Sequence, residues 1–416
     1  YKIKSKNRQA FICNALKEKD GASKMEEELL MIPGPVPVLP RIREAMAKPM
    51  ISHRGDEFSQ IYSEIAAGLK NVFQTKNDLF VLSGSGTCAM EAALGNILRK
   101  TGGAGEPDMG CVTITNGKFG ERFTEIAERY GAGAAAVTPV AFEWGQPVDL
   151  EQVKEALDTC PNPTIVTMVH NETSVGMLNP AREVGKLAKQ HDAIFVLDGI
   201  TSIGGDDVPV DVFGVDIAIV GSQKCLGTPP GLAALSISEK AWELMEANPH
   251  RPYYQDLIAY KKSFKKNQTP YTPAVPLFFA LHEALEIIKE EGMASRIKRH
   301  RTLSKAVRTA VTSLGLKLFP TLNEVSTYSN TVTATRMPVE DGITDDQLRG
   351  GMRKKGVIVS GGQADLKGKI FRIASMGNIT SVEILRTIEV LEQVLQETGF
   401  IEKEGKGLEA AKEVLA

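Results

Sequence analysis

The chain has 416 residues, 49 Lys and Arg against 51 Asp and Glu, a net charge of −2 and 42% hydrophobic residues. That length excludes a single small domain and calls for two, with a sizeable core. The balanced charge gives no field for gathering nucleic acid or an anionic membrane surface, so the expected partners are small molecules.

Residues 1–24, YKIKSKNRQAFICNALKEKDGASK, are locally basic and have no compact apolar stretch of the kind a targeting peptide carries. They read as an extension, partly disordered or left over from cloning; an arm packed on a partner subunit is the alternative. An N-terminal arm over 25–45 follows. From about residue 58 helix and strand alternate: FSQIYSEIAAGLKNVFQ at helical spacing, LFVLSG as a short buried run, TCAMEAALGNIL as helix and CVTITNG as strand. ERFTEIAERYG, AAAVTPV, DLEQVKEALD, TIVTMVH, PAREVGKLAKQH and AIFVLD continue the pattern. Short buried strands separated by helices predict a seven-stranded, mainly parallel sheet covered on both faces. DIAIVGS and LAALSIS follow one another without an intervening helix, so the second returns antiparallel.

A long helical stretch begins at VPLFFALHEALEIIKEEG, with Leu277, Leu281, Leu285 and Ile288 on one stripe, and continues into ASRIKRHRTLSKAVRTAVTSLG. Beyond it lies a smaller α+β set: NTVTATRM, VIVSGG and IFRIAS as strands, TDDQLRGGMRKKG and VEILRTIEVLEQVLQETG as helices. The predicted division is a large α/β domain over 46–285 and a small C-terminal domain over 286–416.

The five cysteines, Cys13, Cys88, Cys111, Cys160 and Cys225, are odd in number, scattered and without a CxxC pair. They suggest neither a disulfide frame nor a thiolate metal site, and they fit a reducing, cytoplasmic setting. No apolar run approaches the length of a membrane span.

In an open parallel sheet, ligands collect beyond the carboxyl ends of the strands. LFVLSG runs into SGTCAMEAAL there, so Ser85, Gly86 and Thr87 open a helix whose N–H groups suit a phosphate; an ordinary Ser/Thr cap is an equal reading. No lysine follows the glycines as in a Walker loop, and GxGxxG is missing. Asp198 ends an apolar strand, where a carboxylate needs a cation or several donors; a loop-capping aspartate is the commoner case. Lys224, in VGSQKCLGTPPG, stands between an apolar run and a turn rather than on a solvent-facing helix. An amine, an acid and a phosphate cradle converging on one cleft are the set pyridoxal phosphate demands: a lysine for its aldehyde, an acid for its ring nitrogen and an anion site.

With these residues in place, the chain resembles the class V aminotransferases of the fold-type I pyridoxal-phosphate enzymes, and within them the alanine–glyoxylate and serine–pyruvate group. The resemblance spans roughly 31–400 through PGPVPVLP, SHRGDEF, LSGSGTCAMEAAL, TNGKFGER, VHNETSVG, LDGITSIGG, GSQKCLGTPPG and FRIASMG. It implies Lys224 as the lysine that joins the cofactor and Asp198 as the acid at its ring nitrogen. Phe119 would lie over the ring, where family members often carry tryptophan, and Thr173 would donate to the phenolic oxygen. Ser85, Gly86, Thr87 and Gln223 would hold the phosphate, completed by Thr272 from the partner of a homodimer with shared active sites; Thr269 is a weaker candidate. Arg372 would fork onto the substrate carboxylate, and Gly34, in the Pro33–Pro35 turn, would line the substrate mouth. Arg54, beside His53, would help bind a side-chain anion; Gly55 departs from the serine many relatives have there.

The activity implied is ping-pong transfer of an amino group from alanine, serine, aspartate or glutamate to a 2-oxo acid such as glyoxylate or pyruvate. A phosphoserine aminotransferase is the alternative. A cysteine desulfurase would need a mobile-loop cysteine, and PTLNEVSTYSN has none. A nicotinamide oxidoreductase lacks its glycine fingerprint here.

Overall fold

Strand Leu29–Met31 (β1) is the first described element of the protein, a computed structural model that describes residues 28–98, 109–131, 137–161 and 164–416. The expectations for residues 1–24 and for Cys13 lie outside the described residues. After β1 come helices α1 (Pro40–Met46) and α2 (Asp56–Phe73), β2 (Asp78–Ser83), α3 (Gly86–Ile97), β3 (Gly110–Thr115), α4 (Lys118–Tyr130), β4 (Val137–Ala141), α5 (Leu150–Thr159) and β5 (Thr164–Val169). A short hairpin, β6 (Asn171–Glu172) and β7 (Met177–Leu178), leads to α6 (Ala181–Gln190), β8 (Ile194–Asp198), α7 (Val210–Phe213), β9 (Ile217–Gly221) and β10 (Leu232–Ile237).

Among the described residues these strands form a seven-stranded sheet in the order β2–β10–β9–β8–β5–β3–β4. Only β10 runs against its neighbours, as the uninterrupted pair of apolar runs predicts. The central strands are buried along their whole length because helices cover both faces. Along β8, Phe195 and Leu197 join the core beneath α2, α6 and the later helix of residues 275–291. Ile194 and Val196 join the opposite core with Ala89 of α3 and Phe123 of α4. That period of two is the strand geometry applied to a sheet buried on both sides.

Helices α8 (Glu239–Ala247) and α9 (Leu257–Phe264), which the sequence patterns did not separate, lead to α10 (Val275–Glu291) and α11 (Met293–Ser313). The helical stretch expected to run through this region breaks at Gly292, whose φ of 78° ends one helix and starts the next. Leu281, Leu285 and Ile288 of α10 are buried against the large sheet, with Leu277 packed at its margin.

The second layer system uses β11 (Thr327–Tyr328), β12 (Val332–Arg336), a π-helical turn at Asp346–Gly350, α12 (Gly351–Lys354), β13 (Val357–Gly361), β14 (Ile370–Ala374), α13 (Ser381–Glu397) and α14 (Lys406–Leu415). Its sheet has the order β1–β13–β14–β12, so a strand from the 25–45 segment pairs in parallel with β13. Helices α11, α13 and α14 cover it through Val307, Ile388, Leu391 and Ala411. No helix among the described residues is long and apolar enough to cross a membrane.

Candidate active site

Asp198 is the last residue of β8, at the sheet edge where β9 and β2 also end. β9 runs into a turn locked by its own side chains: Ser222 Oγ donates to the Pro229 carbonyl at 2.7 Å, and Thr228 Oγ1 donates to the Ser222 carbonyl at 3.0 Å. This knot holds Gln223 and Lys224 off the sheet end instead of letting the chain continue into a helix. From β2 the chain turns at Gly84 into α3, with Ser85 as N-cap in an extended conformation. The Ser85 side chain makes no capping bond, which leaves both its hydroxyl and the first N–H groups of α3 available to an anion.

Helix α4 enters from the side. The buried Glu172 carboxylate accepts the Phe119 and Gly120 N–H groups, each at 3.0 Å, and the Ser174 N–H at 3.1 Å. Burial raises the Glu172 carboxyl above the usual range, and these donors pull it back down. The first turn of α4 is therefore pinned where Phe119 and Arg122 reach the sheet edge.

These pieces surround a cavity, partly open to solvent, lined by Ser85, Gly86, Thr87, Phe119, Arg122, Val169, Asn171, Asp198, Ile200, Thr201, Gln223 and Lys224. Seven residues singled out from the sequence thus share one wall: Ser85, Gly86, Thr87, Phe119, Asp198, Gln223 and Lys224. The Asp198 carboxylate accepts the Ile200 N–H at 2.8 Å, and burial pushes it up to about 7. Burial acts oppositely on the Lys224 amine, lowering it to about 8 while Asp198 pulls it up. The amine donates to the Pro33 carbonyl. Gly34 has a φ of 103°, and a Cβ there would stand 2.5 Å from the Lys224 Nζ, so the PGP turn closes directly over the lysine.

The remaining candidates lie around the cavity and not among its lining residues. Arg372 is buried on β14; its Nε and Nη2 donate to the Gly361 carbonyl and its Nη1 to the Thr173 carbonyl at 2.7 Å. Burial lowers its guanidinium to about 10. Thr173 is buried at that contact. Arg54 donates to the Thr269 carbonyl at 2.6 Å and the Pro270 carbonyl at 3.0 Å, tying down the loop that carries Thr272. Thr272 Oγ1 lies 3.5 Å from His53 Nε2.

The sequence motifs do not mark Arg122, Asn171, Thr201 or Glu172, although each lies within three residues of a marked position. Arg122 stands three residues after Phe119, the spacing that puts two side chains on one helix face. Asn171 donates to the Thr201 and Thr331 side chains at 3.0 and 2.7 Å, but its buried Oδ1 has no partner. The Gln223 Oε1 is likewise buried and unpartnered. Orphaned polar atoms, an uncapped helix N-terminus, an amine and an acid around one cavity are the donor and acceptor set that fits pyridoxal phosphate.

The aminotransferase class-V family model matches residues 41–369. An uncharacterized aminotransferase of Methanocaldococcus jannaschii is 45% identical, covering 94% of this chain and 98% of its own length. A Synechococcus protein named as the small subunit of a soluble hydrogenase is 38% identical, covering 94% of this chain and 99% of its own length. The crystal structure of ureidoglycine–glyoxylate aminotransferase from Bacillus subtilis is 31% identical with a TM-score of 0.84, over 94% of this chain and 99% of that one. Sheet order, cavity and family match agree: the chain belongs to the class-V aminotransferases, enzymes of fold type I that work through pyridoxal phosphate.

Proposed function

We propose that this enzyme moves the amino group of a small L-amino acid, alanine, serine, aspartate or glutamate, to glyoxylate or pyruvate in a two-stage, ping-pong reaction. The observation that carries the reading is the pairing, across one cavity, of a lysine amine lowered to about 8 with an aspartate at the sheet end. The glyoxylate acceptor is supported by the name of the Bacillus subtilis relative. When bound, pyridoxal phosphate supplies an aldehyde for the lysine and a ring that accepts the electron pair left at the substrate's Cα.

The chain's own residues do the rest. Lys224, held at the cavity mouth by the Pro33 carbonyl, would be the base that takes the Cα proton and delivers it, across the intervening nitrogen, to the former aldehyde carbon. A lowered amine is partly neutral at physiological pH, as that task requires. Asp198 would stand at the ring nitrogen and keep a proton on it. Ser85, Gly86, Thr87 and Gln223 would hold the phosphate, Phe119 would cover the ring, and Thr173 would serve the phenolic oxygen. Arg372 receives the substrate carboxylate, its planar fork already oriented by the Gly361 and Thr173 carbonyls. Gly34 keeps the mouth over Lys224 narrow.

The assignment of Thr272, and of Arg54 behind it, is to the site of the partner subunit in a homodimer. Its support is that Thr272 stands on a loop outside this chain's cavity lining, tied down by Arg54 from the turn before α2, beside a surface where Tyr254 and Tyr271 stack at 5.3 Å and Tyr253 is 84% exposed. Within each subunit the large cofactor-binding domain spans 46–285 and the small domain 286–416, with the division inside α10.

Phosphoserine as donor is the second reading, favoured by Arg54, whose guanidinium ties down the loop assigned to the partner's site. A desulfurase is disfavoured by Cys225, whose thiol is buried, donates to the Thr201 carbonyl and is pushed up to about 12 by burial. The test is a half-reaction screen that follows the absorbance of the bound cofactor with each amino acid alone. A shift with at least one of alanine, serine, aspartate or glutamate supports the reading; no shift with any of them, or release of sulfide from cysteine, refutes it.

A further inference from the structure

Arg122 has no role among those above, yet its guanidinium is one wall of the cavity. Its Nη1 donates to Thr87 Oγ1 at 3.1 Å, which places it at the phosphate end of the site, against the first turn of α3. Its Cζ lies 4.8 Å from the centroid of Phe119, so the aromatic ring fixes the plane of the guanidinium. Both residues stand near the start of α4, whose first turn the Glu172 carboxylate pins through the Phe119 and Gly120 N–H groups. The cation is thus held from two sides, by the Thr87 hydroxyl and the Phe119 ring, before any ligand arrives.

The charge balance gives it a task. Among the described lining residues the cations are Arg122 and Lys224. Lys224 is committed to the aldehyde, so its nitrogen is not free to pair with the phosphate. A phosphate close to doubly charged at neutral pH would otherwise rest on neutral donors alone: N–H groups, the Ser85 and Thr87 hydroxyls and the Gln223 amide. In a half-buried cleft such a charge needs a cation, and a planar guanidinium meets phosphate oxygens with two parallel donors.

We propose that Arg122 is the cation of the cofactor's phosphate subsite, contributing the charge while Ser85, Gly86, Thr87 and Gln223 contribute direction. This rests on the pyridoxal-phosphate reading of the cavity. It also accounts for a phenylalanine at 119: the ring that covers the cofactor doubles as the shelf on which the phosphate-binding guanidinium lies.

Pyridoxal and pyridoxal phosphate share the aldehyde and ring and differ only in the phosphate, so the pair isolates the subsite. Their dissociation constants are measured by equilibrium dialysis on cofactor-stripped full-length protein, native and as Arg122→Gln and Arg122→Lys. Inorganic phosphate serves as competitor, and far-ultraviolet circular dichroism checks the fold. Arg122→Gln is expected to weaken pyridoxal phosphate about 10- to 100-fold, the worth of a charge-assisted bond, and pyridoxal less than about 3-fold. Arg122→Lys keeps a charge without the fork and should recover most of the loss. Inorganic phosphate should compete at lower concentration with the native protein than with Arg122→Gln. Equal losses for both ligands would reduce Arg122 to support for the Phe119 platform and overturn the proposal. So would an unchanged affinity for pyridoxal phosphate, or an Arg122→Lys protein that folds and binds no better than Arg122→Gln. A native protein that binds neither ligand instead overturns the cofactor reading itself.

Discussion

Lys224 and Asp198 are both held away from water, and each is displaced toward its neutral form: the amine down to about 8, the carboxyl up to about 7. A depressed lysine contributes stability only above its ordinary value near 10.5, and that contribution is lost as pH falls through 8. At pH 7 the cofactor-free protein therefore bears a penalty on the order of 2 to 3 kcal/mol from Lys224. Lys224→Met, close in length and apolar, should stabilise the cofactor-free chain by about 2 kcal/mol at pH 7. In urea unfolding the gain should shrink steadily between pH 8 and 10.5; a gain that does not change with pH would show that Met packing, not charge, is responsible. Asp198 carries the complementary prediction. An ion pair with a ring nitrogen worth about 3 kcal/mol corresponds to about 100-fold in rate, so Asp198→Asn should lower kcat at least that far. Its binding of pyridoxal phosphate, measured by dialysis, should fall much less. An Asp198→Asn enzyme with native kcat would remove Asp198 from the ring nitrogen.

Between the residues and the whole stand the elements that aim them. The turn after β9 is held from outside as well as by its own hydroxyls. Arg296, fully buried at the start of α11, donates from Nη2 to the Cys225 carbonyl at 2.6 Å and from Nε to the Gly204 carbonyl at 2.9 Å, and it pairs with Glu291 at 2.7 Å. Arg299 on the next turn joins the same glutamate to the Ile379 and Gly377 carbonyls. One helix start thus couples the lysine turn of the large sheet to the loop after β14. Arg296→Met leaves Glu291 half-satisfied and two buried carbonyls without donors, so a loss of about 3 to 5 kcal/mol is expected in urea unfolding. A loss below about 1 kcal/mol would mean the clamp is replaced by water or by Arg299. Helix α4 shows the same economy: Glu172, invisible as a functional group in its motif, sets where Phe119 and Arg122 emerge.

For the assembled molecule the decisive test is whether one subunit completes the other's site. Lys224→Ala and Thr272→Glu chains, each inactive alone, should regain about a quarter of native activity when unfolded and refolded together, because half the dimers then hold one intact site of two. Mixtures that stay as inactive as the separate variants would place Thr272 in its own subunit's site or in none.

The succession of strands and helices that builds the large sheet is readable along the chain because its strands are buried on both faces, while their order within the sheet is not. Apolar runs of five or six residues between amphipathic helices admit few other readings. The reversal of β10 followed from the missing crossover helix, and Lys224, Asp198 and the Ser85–Thr87 corner stood out because each interrupts an apolar run at a strand end. The break at Gly292 and the terminal helix α14 escaped notice, since one glycine does not end a helical pattern and a ten-residue helix gains its stability from packing on α11 and α13. Arg122 and Asn171 were hidden for a related reason. An arginine in a helix and an asparagine in a turn are ordinary residues until folding shows what they face. Local pattern determines which segments become strands and helices, because hydrophobic period is a property of neighbours along the chain. Which side chains meet across 100 residues, which carbonyls Arg296 holds and which cation stands beside Thr87 depend on contacts between elements, and packing in three dimensions alone decides those.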